Sequence, residues 1–340
     1  MKRRNLIEIV QEKYRNKERV VAPLLGFPGV DITGSNIKIA QQNYGEHYKV
    51  IKKLAEMFEP DLIFPLMDLS VEANALGRYT VFPKEESATV PKDKFVLEDI
   101  EKIREINISF DSRINGYVNT VKLMKLGIDE KVLKGAYVIG PYSLAALIMG
   151  ADEAAMCSLL EPEKLARLCE LTVEKIHEYV NMFVSAGAEV ICVLEPTAVM
   201  LGPLQFREFS ARYVKHIVDS CKFSGVSTIY HTCGNTTHLV NEMANSGVDG
   251  ISLDSKEVGV DLREIAKILT RYVLIIGNIN PSGVMLRGKP DDVKKEVTAL
   301  MDMMEPYANF VLSTGCDLPQ ETPLENIRAF MEAGKSYKIK

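Results

Sequence analysis

His231 and Cys233 stand two apart in YHTCGN, at the end of a short apolar run. In extended backbone, residues i and i+2 point to the same side, so an imidazole and a thiol placed this way can reach one ion. Gly234 follows them and permits a sharp turn of the chain. A third residue of the same chemistry, Cys316, lies far along the sequence in STGCD, again just past an apolar run and after Gly315. Two thiolates and one imidazole suit Zn²⁺. Three protein ligands with a fourth position open describe a catalytic zinc, whereas a structural zinc closes with four ligands. Spacing alone leaves a second reading open, in which His231 is a hydrogen-bonded rim residue and the two cysteines fill small apolar volumes. Cys157, Cys169 and Cys221 fall in helical segments and Cys192 inside a strand, and these four suit that second reading.

Other polar residues follow apolar runs in the same way. Asp68, in MDLSVEANALG, either orients a substrate or accepts a proton, or else caps the helix that follows it. Glu195 in LEPTA and Asp254 in SLDSK are candidates for a fourth ligand or for the partner that a metal-bound imidazole generally has on its other nitrogen. Pro141, Tyr142, Asn278 and Asn280 complete the set. His47, His177, His216 and His238 fall in helical or loop segments and read as structural or surface residues.

These residues share one placement only if the runs before them are strands of one sheet. Eight such runs occur: Val20 to Leu25, Asp61 to Leu66, Ala136 to Gly140, Glu189 to Leu194, Ser227 to Tyr230, Gly250 to Leu253, Val273 to Gly277 and Phe310 to Ser313. They are near-continuously apolar rather than alternating, the mark of strands buried on both faces of a parallel sheet. Segments of helical spacing separate them, as at 162–185, 203–221 and 290–304. The pattern predicts an α/β fold, a single (βα)₈ TIM barrel spanning 1–340. It has an N-terminal helical extension over 1–19 and an insertion after strand two, over 78–135, beginning with a hairpin or flap at 80–95. An open dinucleotide-binding sheet would place a Gly-rich fingerprint after its first strand, and GFPGVDITGS does not match it. In a barrel the strand C-termini form one rim, so His231, Cys233, Cys316 and the carboxylates are expected together there.

The chain of 340 residues carries 46 acidic and 41 basic side chains without a run of like charge, so no nucleic-acid footprint is expected. Nowhere do 18 apolar residues run together, which excludes a conventional membrane span. The opening MKRRNLIEIVQEKYRNKERV is broken by Glu8, Gln11, Glu12 and Lys13 and reads as an amphipathic helix rather than a signal peptide. Six widely spread cysteines without a secretory signal point to a reducing cytosol. No long exposed apolar helix suggests a dimer seam, so a monomer or weak homodimer is expected.

The motif from His231 to Thr236, the segment around Asp68, GPYSLAALI from Gly140, LGPLQFREF after Glu195, GNINP from Gly277 and the late STGC together resemble the uroporphyrinogen decarboxylase superfamily. More narrowly, they resemble its methylcobamide:coenzyme M methyltransferase branch. The resemblance runs from about Val20 to Met331. The decarboxylase itself carries an N-terminal arginine motif for its tetrapyrrole carboxylates, and this sequence reads APLLGFPGVDITGS there, without an arginine. Asp68 does match the family's tetrapyrrole-facing aspartate.

The resemblance implies that His231, Cys233 and Cys316 bind zinc and that Asp68, Tyr142 and Asn278 shape the cavity facing a corrinoid. It also implies that the flap admits a corrinoid carrier protein. The implied reaction moves a methyl group from a methylated corrinoid co-substrate to a small thiol such as coenzyme M. The acceptor sulfur attacks in line and Co(I) leaves, which needs alignment more than acid or base. Transfer to another acceptor such as tetrahydrofolate in corrinoid-dependent demethylation, metal-independent tetrapyrrole decarboxylation, and non-catalytic corrinoid binding are the alternatives.

Overall fold

The computed structural model describes residues 5–91 and 101–340. Seven parallel strands form one sheet in chain order: β1 Leu62–Ile63, β2 Leu133–Ile139, β3 Val190–Leu194, β4 Ser227–Thr232, β5 Gly250–Leu253, β6 Leu274–Ile279 and β7 Phe310–Thr314. Every strand residue is buried, as the near-continuous apolar runs require. Neighbouring strands are joined by helices such as Pro162–Ala186, Arg212–Phe223 and Pro290–Met304. The larger apolar core lies between sheet and helices.

The sheet is curled, and its inner face holds a second, smaller core. Leu62, Tyr137, Cys192, Leu194, Ile229, Leu274, Ile276 and Val311 pack together there. The N-terminal helix Leu6–Arg15 inserts Leu6, Ile9 and Val10 into this inner core, and the Leu6 amide donates to Ser227 Oγ at 3.0 Å, at the start of β4. The expected N-terminal extension is therefore a plug at the N-terminal end of the strands. Once its apolar face is covered, the opposite end is the one left for ligands.

Two expected strands are shorter than their apolar runs, and a proline explains each. The run from Val20 to Leu25 makes only a single parallel bridge, Val21 with Leu312 on β7. Its backbone still links β7 to the start of β1. The Leu312 amide donates to the Val20 carbonyl at 3.0 Å and the Asp61 amide to the Val21 carbonyl at 3.0 Å. Pro23 then removes a ladder donor. Side chains take over beyond it: the Leu24 amide donates to Thr314 Oγ1 at 3.0 Å, and Ser313 Oγ donates to the Ala22 carbonyl at 2.7 Å. Pro65 shortens β1 likewise, and the Leu66 amide donates to His47 Nε2 at 2.8 Å instead of to a neighbouring strand.

Of the expected hairpin after strand two, the described residues contain one antiparallel bridge, Val81 with Thr89. Positions 92–95 of that expectation lie outside the described residues. Among the described residues no single helix is long and apolar enough to cross a membrane.

Candidate metal centre at the strand ends

His231 is the fifth residue of β4, and its side chain is buried on the inner face of the sheet. Ladder register sets Ser252 of β5 directly beside it. The Ser252 hydroxyl lies 3.0 Å from His231 Nδ1 and fixes the ring, so that Nε2 points toward the strand C-termini. Cys233 follows β4 and brings its Sγ to 3.4 Å from Nε2. Cys316 arrives two residues past β7, 3.5 Å from Cys233 Sγ and 3.7 Å from His231 Nε2.

Two glycines allow this approach. Gly234 turns the chain at φ +82° after Cys233, and a side chain at Gly315 would meet the Ser255 amide at 2.6 Å. The two thiols are coupled. Hydrogen bonding from Cys316 holds Cys233 below the ordinary thiol range, and the same contact together with burial pushes Cys316 up.

The three donors form a triangle open on one side. Ligands at zinc–sulfur and zinc–nitrogen bond lengths on one tetrahedral face stand about 3.6 to 3.8 Å apart. The donor separations here, from 3.4 to 3.7 Å, fit that face closely. The donor set, two soft sulfurs and an imidazole whose other nitrogen is hydrogen-bonded, is also the one such an ion selects. A second group of donors within reach of one another, Glu153, Cys157 and Glu161, is bridged by Lys164 at 3.4 and 3.6 Å and is occupied by that ion pairing.

The structure corrects several other expectations. Glu195 does not approach the His231 ring. Its carboxylate accepts from the amides of Tyr142 and Ser143 at 3.1 and 2.8 Å and from Ser210 Oγ at 2.7 Å. It therefore serves the N-terminus of helix Pro141–Met149, where a carboxylate meets both free amides and the helix dipole. Burial pushes its pKa up in spite of these bonds.

Asp254 also fails to reach the ring. It accepts from the Gly234 amide at 2.7 Å and the Ser255 amide at 2.6 Å, so it ties the turn carrying Cys233 to the end of β5. The partner of His231 is instead Ser252, which neither carboxylate expectation named. Only the register of β4 on β5 could have revealed it.

Asp68, expected to face the cavity, is fully buried in an ion pair with Arg113. Its remaining lone pairs accept from Ser70 N and Oγ at 2.9 and 2.6 Å and from Tyr117 Oη at 3.0 Å. Arg113 sits in turn over the Phe82 ring, 4.7 Å from its centroid. Tyr142 is buried in the outer core rather than lining the rim, and burial raises its hydroxyl. Asn278 donates from Nδ2 to the carbonyls of Asp254 and Val260 at 2.9 and 3.2 Å, so it braces the loop after β5.

A curled parallel α/β sheet with a soft three-donor cluster at its strand C-termini defines the class of protein. The chain belongs to the uroporphyrinogen decarboxylase (URO-D) family, whose model matches residues 32–337. It is 30% identical over 246 residues, 71% of this chain and 69% of the relative, to the methylcobamide:CoM methyltransferase MtbA of Methanosarcina mazei. The corresponding protein of Methanosarcina acetivorans is 29% identical over 245 residues, with the same coverage of 71% and 69%. A uroporphyrinogen decarboxylase of Prochlorococcus marinus is 25% identical over 296 residues, 85% of this chain and 83% of the relative. Among solved structures, a methyltransferase from Methanosarcina mazei superposes with a TM-score of 0.84 over 96% of both chains at 21% identity, a likeness of fold.

Proposed function

We propose that this protein is a single-domain (βα)₈-barrel methyltransferase of the cytosol that passes a methyl group from a methylated corrinoid, presented by a carrier protein, to a small thiol. The observation that carries this reading is the convergence of His231 Nε2, Cys233 Sγ and Cys316 Sγ within 3.7 Å of one another at the strand ends. It is supported by the similarity to relatives named as methylcobamide:CoM methyltransferases. His231, Cys233 and Cys316 would hold Zn²⁺. The chemistry that the ion supplies when bound is an acceptor thiol deprotonated at neutral pH, where a free thiol with a pKa near 8.5 stays mostly protonated.

The chain's own part is positioning. Ser252 orients the imidazole through Nδ1, Asp254 clamps the Cys233 turn, and the buried inner face excludes water below the cluster. In the transfer the cobalt–carbon bond breaks with its electron pair left on cobalt, a sulfur–carbon bond forms, and the thiol proton goes to solvent. The decarboxylase alternative is disfavoured by Asp68, whose carboxylate is enclosed by Arg113, Ser70 and Tyr117 and offers no lone pair to a tetrapyrrole.

The test pairs metal analysis of the purified protein with consumption of methylcobalamin, followed by its visible spectrum, in the presence of coenzyme M or other thiols. About one zinc per chain and thiol-dependent loss of the methylcobalamin spectrum are expected. Protein that holds no zinc when supplied with it, or that turns over no thiol, overturns the reading.

A further inference from the structure

Of the six cysteines, Cys157, Cys169, Cys192 and Cys221 are buried, whereas Cys233 and Cys316 are only partly so. The two thiols within reach of solvent are also two that meet, with 3.5 Å between their sulfurs. Neither belongs to a strand. β4 ends at Thr232 and β7 at Thr314, so both side chains stand on connections that have just left the sheet. Gly234, at φ +82°, follows the first thiol, and Gly315 precedes the second. A disulfide holds its sulfurs about 2.0 Å apart, so joining this pair asks for a closure of about 1.5 Å, which rotation about the two Cα–Cβ bonds shares between the side chains.

A thiolate is the form of cysteine that binds a metal, and a disulfide sulfur is no longer one. Once Cys233 and Cys316 are bonded to each other, His231 Nε2 is the one donor left of the three, too few to hold zinc. A hydroperoxide is the small two-electron oxidant that suits the open side of the triangle. One sulfur attacks the peroxide, the oxygen–oxygen bond breaks, water leaves and a sulfenic acid remains. The second sulfur, 3.5 Å away, then attacks the first; the sulfur–sulfur bond forms and the sulfenic oxygen leaves as another water. Each sulfur gives up one electron and one peroxide becomes two waters. The two protons consumed come from the thiols, or from solvent when a metal ion has already deprotonated them.

We propose that Cys233 and Cys316 are an oxidative modification site, at which a hydroperoxide joins the two sulfurs in a reversible disulfide and so dismantles the metal centre. The assignment rests on the zinc reading given above and adds a regulation to the same site. The pairing also protects the thiols. A sulfenic acid left alone oxidises onward to a sulfinic acid that thiols do not reverse, and a second sulfur at this distance intercepts it.

The experiment treats the zinc-loaded full-length protein, free of reductant, with increasing hydrogen peroxide. Released zinc is followed with a chromogenic chelator, and peptides digested without reduction are mapped by mass spectrometry. About one zinc per chain is expected to leave, in step with a peptide pair linked through Cys233 and Cys316. Dithiothreitol should then remove the link and restore zinc binding. Zinc retained with both thiols free at an excess of peroxide overturns the proposal. So does zinc release accompanied by sulfinic acid at either position, or by a link from either sulfur to one of the four buried cysteines. The two readings fail separately. A chain that takes up no zinc yet links Cys233 to Cys316 reversibly keeps the modification site and removes the metal, whereas a chain that holds zinc and resists linking keeps the metal and removes the modification.

Discussion

The two sides of the strand-end rim carry equally reactive residues and use them in opposite ways. On the side of β1 to β3, Asp68 and Glu195 are carboxylates at strand ends, as an active site would have them. Yet both carboxylates are held by the chain itself, through Arg113, Ser70 and Tyr117 for the first and a helix N-terminus with Ser210 for the second. On the side of β4 to β7, His231, Cys233 and Cys316 direct their donor atoms at one another, while Ser252 holds the far ring nitrogen. A reactive residue type at a strand end is thus a necessary sign of a site. The deciding one is whether its lone pairs remain free of the chain.

The sharpest break of this contrast is Cys316→Ser, which removes one of the three donors. Bound zinc should fall from about one per chain to near zero and methyl transfer should be lost, while the unfolding curve stays close to that of the natural protein. Full activity in this variant would sink the metal reading.

Arg113→Ala should do the opposite. It leaves Asp68 buried without its cation, and a loss of roughly 3–5 kcal/mol in unfolding free energy is expected, with zinc still bound by the folded fraction. Urea unfolding together with metal analysis separates the two patterns.

A third test uses Glu72, on the same structural side of the rim, whose carboxyl accepts from the Ile139 amide at 2.8 Å and whose pKa burial raises from 4.5 to about 7. Because the folded state holds this proton more tightly than the unfolded chain, the contribution is present below pH 4.5 and is lost as pH rises toward 7. The loss amounts to about 3 kcal/mol. Glu72→Gln should flatten that decline in stability–pH curves.

His47 supplies the opposing slope. Burial lowers its pKa from 6.5 to about 3, so its neutral form favours folding above 6.5, and stability falls as pH drops from 6.5 toward 3. The acid limb should therefore persist in Glu72→Gln, and a variant in which both limbs vanish would contradict the assignment.

Ser252→Ala should give the smallest effect. Without its hydroxyl the His231 ring loses its orienting partner, and zinc affinity should weaken about 10- to 100-fold with the fold retained. Competition with a chelating dye measures it, and an unchanged affinity would remove Ser252 from the site.

The sequence made much of this legible where the signal is local. Helix Pro290–Met304 has the bounds read from its spacing, and the apolar runs mark all seven strands. What it overstated are the runs through Pro23 and Pro65, where apolar character continues but the ladder cannot, because a proline has no amide to give. At the site, the two-residue spacing of His231 and Cys233 already implied a shared side of the chain. The pairing of Asp68 with Arg113, 45 residues away, left no pattern to read.

By itself, then, the sequence determined which residues carry soft donors, which segments are buried strands, and that those donors follow strands. Hydrophobic periodicity and backbone extension are properties of neighbours along the chain. The tertiary structure alone decided that Cys316 meets Cys233 across 83 residues and that Ser252 rather than Glu195 or Asp254 holds the imidazole. Those outcomes depend on the register of one strand against the next and on how far the sheet curls, and neither is written in any single stretch of residues.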